Sequence, residues 1–411
     1  MSPYNEEIRA EPLPYQIWGA DFIDESSRAQ MDSAMRLPVS VAGALMPDAH
    51  VGYGLPIGGV LATENCVIPY AVGVDIACRV RFSVFDISPI VVKQKVGQFK
   101  NALIEQTVFG AGGKWVGNQR AEHPVLDDAD WNSSKYVASL RDTAHNQLGT
   151  SGSGNHFVEW GTFSLEHDDK TLGLKAGDYL SLLSHSGSRG VGFKIANHYS
   201  EIAQQLHPNL DKSVKHLAWL PLEWHEGQEY WIAMELAGRF ASANHEIIHR
   251  RVAKAVGLKP IAVVENHHNF AWKEMIPAPK GFSESQRSVI VHRKGATPAG
   301  QGVLGLIPGS MADAGYVVYG NGKVESLNSA SHGAGRAMSR RAALKSITKT
   351  ERDRYLKAHG VTLIGGGLDE SPQAYKNIEE IMTAQADLVT ILGRFTPTMV
   401  RMDGTGSKAE D

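Results

Sequence analysis

In this chain of 411 residues, Ser331-His332-Gly333-Ala334-Gly335-Arg336 combines the residue types with the most chemical reach. Gly333 and Gly335 let backbone N–H groups approach a ligand that a Cβ would hold off. Arg336 offers a planar fork matched to phosphate oxygens. A histidine beside such a cradle can attack phosphorus and carry a covalent phosphoryl or nucleotidyl group. The competing reading is a helix start, with Ser331 as N-cap and the chain helical from Arg336 onward.

A second set of residues has metal-ligating character. In Val74-Asp75-Ile-Ala-Cys78 the spacing i, i+3 places a carboxylate and a thiol on one face of an expected helical turn. Asp75 sits in an otherwise apolar segment, where a carboxylate needs a partner. Histidines at element boundaries supply further ligands: His156 after the glycine-rich Ser153-Gly-Asn155, His185 at a strand end before Ser-Gly-Ser-Arg189, and His268 in Glu265-Asn-His267-His268-Asn269. Ligand softness favours Zn²⁺ for such a mixed Asp/Cys/His centre. A rival motif, His245-Glu246-Ile-Ile-His249, has the H-E-x-x-H form of a zinc peptidase. Arg250 and Arg251 follow it where a zinc site would need shielding. No Walker A sequence occurs.

The elements that must position these groups are legible in outline. A hydrophobic fraction of 42 % and a charged fraction of 21 % describe a globular chain with a large core. The net charge of −3 offers no global basic field for nucleic acid, so an RNA partner needs a local patch such as Arg336, Arg340, Arg341 and Lys345. Two cysteines exclude a disulfide framework and fit a reducing compartment, the cytoplasm. The polar, acidic first residues do not read as a signal peptide, and no apolar run reaches membrane-spanning length. The 42 glycines cluster at 52–59, 110–117, 149–154, 187–192, 300–309, 333–335 and 365–367, as loops converging on one site would. Short β-branched runs at Gly59–Ala62, Val80–Phe85, Asp178–Ser184 and Ser288–His292 predict strands. Helices are expected at 228–256, 336–346, 350–358, 373–393 and 90–106. Strands and helices do not alternate, which predicts an α+β domain over 1–404 with mixed sheets, flanking helices and a central metal and nucleotide cleft. Residues 110–150 are the candidate insertion or lid, and 405–411 the expected disordered tail.

The motifs together resemble the RtcB family of RNA ligases. They run in order: Met46-Pro-Asp48-Ala-His50-Val-Gly-Tyr-Gly, Val72-Gly-Val-Asp75-Ile-Ala-Cys78, Gly154-Asn155-His156-Phe-Val-Glu159, His185-Ser-Gly-Ser-Arg189, His267-His268-Asn269, Ile307-Pro-Gly-Ser310-Met, Ser331-His332-Gly-Ala-Gly-Arg336 and Glu370-Ser-Pro-Gln-Ala-Tyr-Lys376. The resemblance implies joining of an RNA 3′-phosphate or 2′,3′-cyclic phosphate end to a 5′-hydroxyl end, with GTP as cosubstrate and two Mn²⁺ ions. It implies that Cys78 bridges the ions, completed by Asp75, His156, His185 and His268. It makes His332 the nucleophile that takes GMP, with Asp48, Arg189 and Arg336 assisting, the arginines on RNA phosphates or the leaving group. It assigns Asn155, Glu159, His268, Asn269, Ser310, Gly333, Ala334, Gly335 and Asp403 to the nucleotide. It suggests an archease-type activator and a monomer or weak homodimer. The family commonly ends in lysine–glycine, the lysine reaching guanine, whereas Asp403-Gly404 stands here, with Lys408 a candidate substitute. Pro69-Tyr70-Ala71 and Arg79 also depart from the pattern, as in a divergent branch. The alternatives are a metal-dependent RNA phosphoesterase without ligation, the H-E-x-x-H peptidase, and a non-catalytic RNA-binding module.

Overall fold

The computed structural model describes residues 6–278 and 285–406. It is α+β, as the sequence predicts. Two sheets carry the fold. The larger runs, in spatial order, through Leu304–Ile307, Gly315–Gly320, Val389–Met402, Phe157–Leu165, Gly177–Ser186, Arg79–Phe85 and Ala262–His267. These pairs are antiparallel, and Thr362–Ile364 adds a parallel strand beside Val389–Met402. Its two edge strands come together, where Leu306 N donates to Asn266 Oδ1 at 3.0 Å. The second sheet orders Gln16–Ile17, Ser40–His50, Ile57–Thr63, Gln286–Lys294 and Asn269–Pro277.

Two helices, Arg189–Leu206 and His225–Ala255, pack together over the main apolar core. The polar stretch 110–150 contributes to that core through Trp131, Val137, Leu140 and Leu148, all buried. Burial on this scale supplies the dominant favourable term of folding. A second apolar cluster, including Met46, Val60, Ile307 and Val318, fills the space between the two sheets.

The four predicted strands are present. Three helix expectations need correction. The 336–346 pattern yields only Arg340–Ser346, with Ser339 as N-cap accepting from Ala342 N. Residues 335–337 pair instead with 374–376: Ala337 N donates to Ala374 O and Lys376 N to Gly335 O. Ser331 is therefore not a helix cap; it ends a short strand paired with Ala296–Pro298. The 373–393 pattern breaks into the helix Ile378–Ala384 and the start of the long strand Val389–Met402, whose ladder partners on both sides override helical periodicity. Residues 90–106 form two helices, Val91–Gln94 and Val96–Gln106, separated at Lys95. The tail 405–411 lies, beyond Gly406, outside the described residues, and Lys408 with it.

Candidate metal centre and phosphate cleft

Asp75 and Cys78 flank a tight turn rather than a helical one. Cys78 N donates to Asp75 O at 3.1 Å, and Ala77 adopts a left-handed φ of 56°. The turn still sends both side chains to one side. There Cys78 Sγ lies 3.1 Å from His185 Nε2 and 3.5 Å from His156 Nε2. His185 Nε2 is 3.2 Å from His268 Nε2, and His156 Nε2 is 3.2 Å from Asp75 Oδ2. The buried ligand atoms thus form two groups sharing the thiol, Cys78/His185/His268 and Asp75/Cys78/His156, each within 4.8 Å.

This donor set fits divalent cations. Buried imidazole nitrogens, a thiol and a carboxylate crowded this closely are the ligand types that would hold a divalent cation. Burial, together with nearby His156 and His332, holds His185 well below the ordinary histidine range, so it presents a lone pair. Its Nδ1 lies 3.2 Å from the Asn155 carbonyl and donates to it, which leaves Nε2 for a metal. His268 is likewise kept neutral, chiefly by burial. Asn269 clamps the Asp75 turn: its Nδ2 donates to Asp75 O at 3.2 Å, and its Oδ1 accepts from Gly295 N at 2.7 Å. His267, the last residue of the strand before His268, instead stacks on Trp272 at 5.1 Å.

Asp75, Cys78, His185 and His268 form the floor of a cleft of about 620 Å³. His332 stands in its wall, 4.8 Å from His268 between ring centroids. One carboxylate oxygen fixes it: Asp48 Oδ2 accepts from His332 Nδ1 at 2.7 Å, His332 N at 3.1 Å and Gly333 N at 3.3 Å. Burial pushes the Asp48 carboxyl up, but the His332 bond and the charges of Lys376 and His50 bring it below the usual range, so it stays ionised. Gly335 permits this packing, since a Cβ there would sit 2.0 Å from the Asp48 carbonyl oxygen.

Asn155, Asn269, Ser310, Gly333, Ala334, Gly335 and Arg336 line the same cleft. Arg336 is braced over the Tyr375 ring at 5.2 Å and donates to Asp369 O at 2.7 Å. Arg189 is buried behind the centre, its Nη1 3.3 Å from His156 Nδ1. Glu159 is buried two residues along the strand from Phe157, and burial pushes its carboxyl well above the usual range. Asp403 accepts from Thr405 N at 2.9 Å, while its neighbour Met402 reaches the cleft. Lys294, which sequence reasoning passed over, also lines the cleft; it is buried, and burial lowers its ammonium to about 7. Its only sequence signal is the polar run His292-Arg293-Lys294 at the end of the predicted strand Ser288–His292, and all three residues are buried.

The H-E-x-x-H stretch does not build a site. His245 and His249 turn into the core onto serine hydroxyls, and Glu246 faces outward to His123 and Arg250. Neither belongs to a metal-ligating group among the described residues. The glycine clusters at 52–59, 300–309 and 333–335 reach the cleft wall, whereas no glycine of 110–117, 149–154, 187–192 or 365–367 does.

A buried carboxylate, thiol and three histidines beneath a carboxylate-held histidine define a candidate metal centre adjoining a histidine-walled cleft. The family model for the tRNA-splicing ligase RtcB matches residues 30–403. The chain belongs to the RtcB family of RNA-splicing ligases. It is 31 % identical to the RNA-splicing ligase RtcB of Escherichia coli K12, covering 94 % of this chain and 97 % of that protein. It is 30 % identical to the tRNA-splicing ligase RtcB of Nanoarchaeum equitans, over 94 % and 95 % of the two chains. No helix among the described residues is long and apolar enough to cross a membrane.

Proposed function

We propose that this chain is a GTP-dependent RNA ligase that joins 3′-phosphate or 2′,3′-cyclic phosphate ends to 5′-hydroxyl ends through a covalent GMP on His332. The observation that carries the reading is His332 pinned by Asp48 beside the Asp75/Cys78/His156/His185/His268 cluster in one cleft. Asp48 holds the proton on Nδ1, leaving the Nε2 lone pair free to attack. Nε2 forms a bond to the α-phosphorus of GTP while the bond to the bridging oxygen breaks and pyrophosphate leaves. A 2′,3′-cyclic end is first opened by water, which breaks the P–O2′ bond and leaves a 3′-phosphate; an oxygen of that phosphate then takes the GMP from His332, and the 5′-hydroxyl, losing its proton, attacks the activated phosphate to release GMP. Two divalent ions, Mn²⁺ in this reading, neutralise charge on the phosphate oxygens when bound.

Asn155, Glu159, Ser310 and the Gly333–Gly335 backbone bind the nucleotide, and Asp403 addresses the base. Arg336 serves the phosphates from the cleft wall and Arg189 from behind His156. A cytoplasmic RNA substrate and an archease-type activator complete the proposal. Labelling with GTP carrying α-³²P should give an acid-labile, Mn²⁺-dependent adduct, lost in His332→Ala. An unlabelled wild type that still processes RNA ends without GTP would favour the phosphoesterase instead. ATP in place of GTP reads out what Asp403 does to base choice.

A further inference from the structure

The helix His225–Ala255 faces the core with mostly apolar side chains, and along one edge with Asn244, His245 and His249, all buried. No step of the proposed reaction uses these three residues, and burying them costs desolvation unless each is paired.

Their pairing runs in one direction. The Ser186 carbonyl can only accept, so His245 Nε2–H donates to it at 3.1 Å. His245 Nδ1 is then an acceptor and takes the Ser184 hydroxyl at 2.7 Å. Ser184 Oγ in turn accepts from His249 Nε2 at 2.8 Å, and His249 Nδ1 takes the Ser83 hydroxyl at 2.7 Å. Burial holds His245 and His249 neutral, which such a chain requires. Ser184 and Ser186 flank His185.

Asn244 works on the neighbouring loop. Its Oδ1 accepts from Gly149 N at 2.7 Å and Thr150 N at 3.1 Å, and its Nδ2 donates to Thr150 O at 2.9 Å and Ser186 Oγ at 3.3 Å. Residues 149–156 end in Asn155 and His156. Beyond Ser186 the chain reaches Ser188, whose N–H donates to Asp75 Oδ1 at 3.0 Å. One helix edge therefore holds both backbone arms of the metal-ligand set at their roots.

We propose that Asn244 and His245 are positioning residues of the metal centre, locking the arms that carry His156 and His185 so that their ligand atoms meet at the shared Cys78 thiol. This rests on reading the Asp75/Cys78/His156/His185/His268 cluster as a metal centre. The H-E-x-x-H form is then a brace behind the metal.

The test uses the full chain, stripped of metal, titrated with Co²⁺ alone and followed by absorption. The wild type should show a Cys78 thiolate-to-metal charge-transfer band together with ligand-field bands. Asn244→Ala and His245→Ala should weaken Co²⁺ binding about tenfold, the lower end for groups supporting ligands, and alter the ligand-field bands. His245→Gln, whose amide reaches the Ser186 carbonyl, should restore both. Ser184→Ala removes a single hydroxyl and keeps the fold accessible; it should shift affinity in the same direction by a smaller factor. Wild-type affinity and spectrum in the two alanine variants, or in Ser184→Ala should those not fold, would reduce the network to ordinary core packing and overturn the proposal. A wild type without the thiolate band overturns the metal-centre reading itself, and the brace falls with it.

Discussion

Asp48→Asn should slow GMP transfer to His332 by about a thousandfold while leaving the protein folded. The carboxylate lies 2.7 Å from His332 Nδ1 and is fully buried. As Nε2 bonds to phosphorus, the ring becomes cationic, with its charge centred roughly 4 Å from the carboxylate. At an effective dielectric of about 20 the attraction is about 4 kcal/mol. At about 1.4 kcal/mol per factor of ten, losing it costs close to three orders of magnitude. Asparagine keeps an oxygen to accept from His332 N and Gly333 N, so backbone geometry is retained, which alanine would not do. Because Asp48 is held below the ordinary carboxylate range, its contribution is present through neutral pH and lost only as pH falls through that depressed value; raising the pH should not rescue the variant. The assay is the initial rate of ³²P transfer from labelled GTP to protein, with thermal midpoints measured in parallel. A variant that labels within tenfold of wild type at an unchanged midpoint would refute the assignment of His332 and Asp48.

Lys294, lowered to about 7 by burial, is cationic below that pH and neutral above it. Metal-free affinity for GTP, followed by fluorescence, should fall as pH rises above about 7, and Lys294→Met should flatten the profile; parallel slopes would count against it. Glu265 pairs with both Arg79 and Arg81, and although burial opposes it, those charges hold its carboxyl near 2. Its folded value lies below its unfolded value of 4.5, so its stabilisation is complete above about 4.5 and fades as pH falls toward 2. Glu265→Gln should cost about 3 kcal/mol by urea unfolding at pH 7, from two stranded arginines, and should weaken the acid dependence. Glu246→Gln changes an outward-facing side chain and should leave RNA joining and stability within about 0.5 kcal/mol of wild type; loss of joining would reopen a catalytic role for that helix.

The types and order of Asp75, Cys78, His156, His185, His268 and His332 were legible in the chain, because each of these chemistries is confined to few side chains and each sits at a loop where an element ends. The α+β class was legible too, since β-branched runs and helical periodicity are local signals. Spacing alone did not tell which histidine of a neighbouring pair faces the cleft; only the family resemblance singled out His268. His267 ends its strand and His268 lies in the bend that follows, so the turn of the chain there separates the two rings. His245 and His249 have the spacing of ligands, and only the core around the helix turns them onto Ser184. Residues 336–339 and 389–393 have helical periodicity but form no helix, because the first stretch lies beside 374–376 and the second is held between two strands. Lys294 looks like a surface lysine until the sheet closes over it. The sequence by itself determined which groups were available and roughly where the chain turns. Only the tertiary structure decided which of them meet, because hydrogen-bond ladders and burial are settled between segments distant in sequence, and the pairing of Asp48 with His332 spans 284 positions.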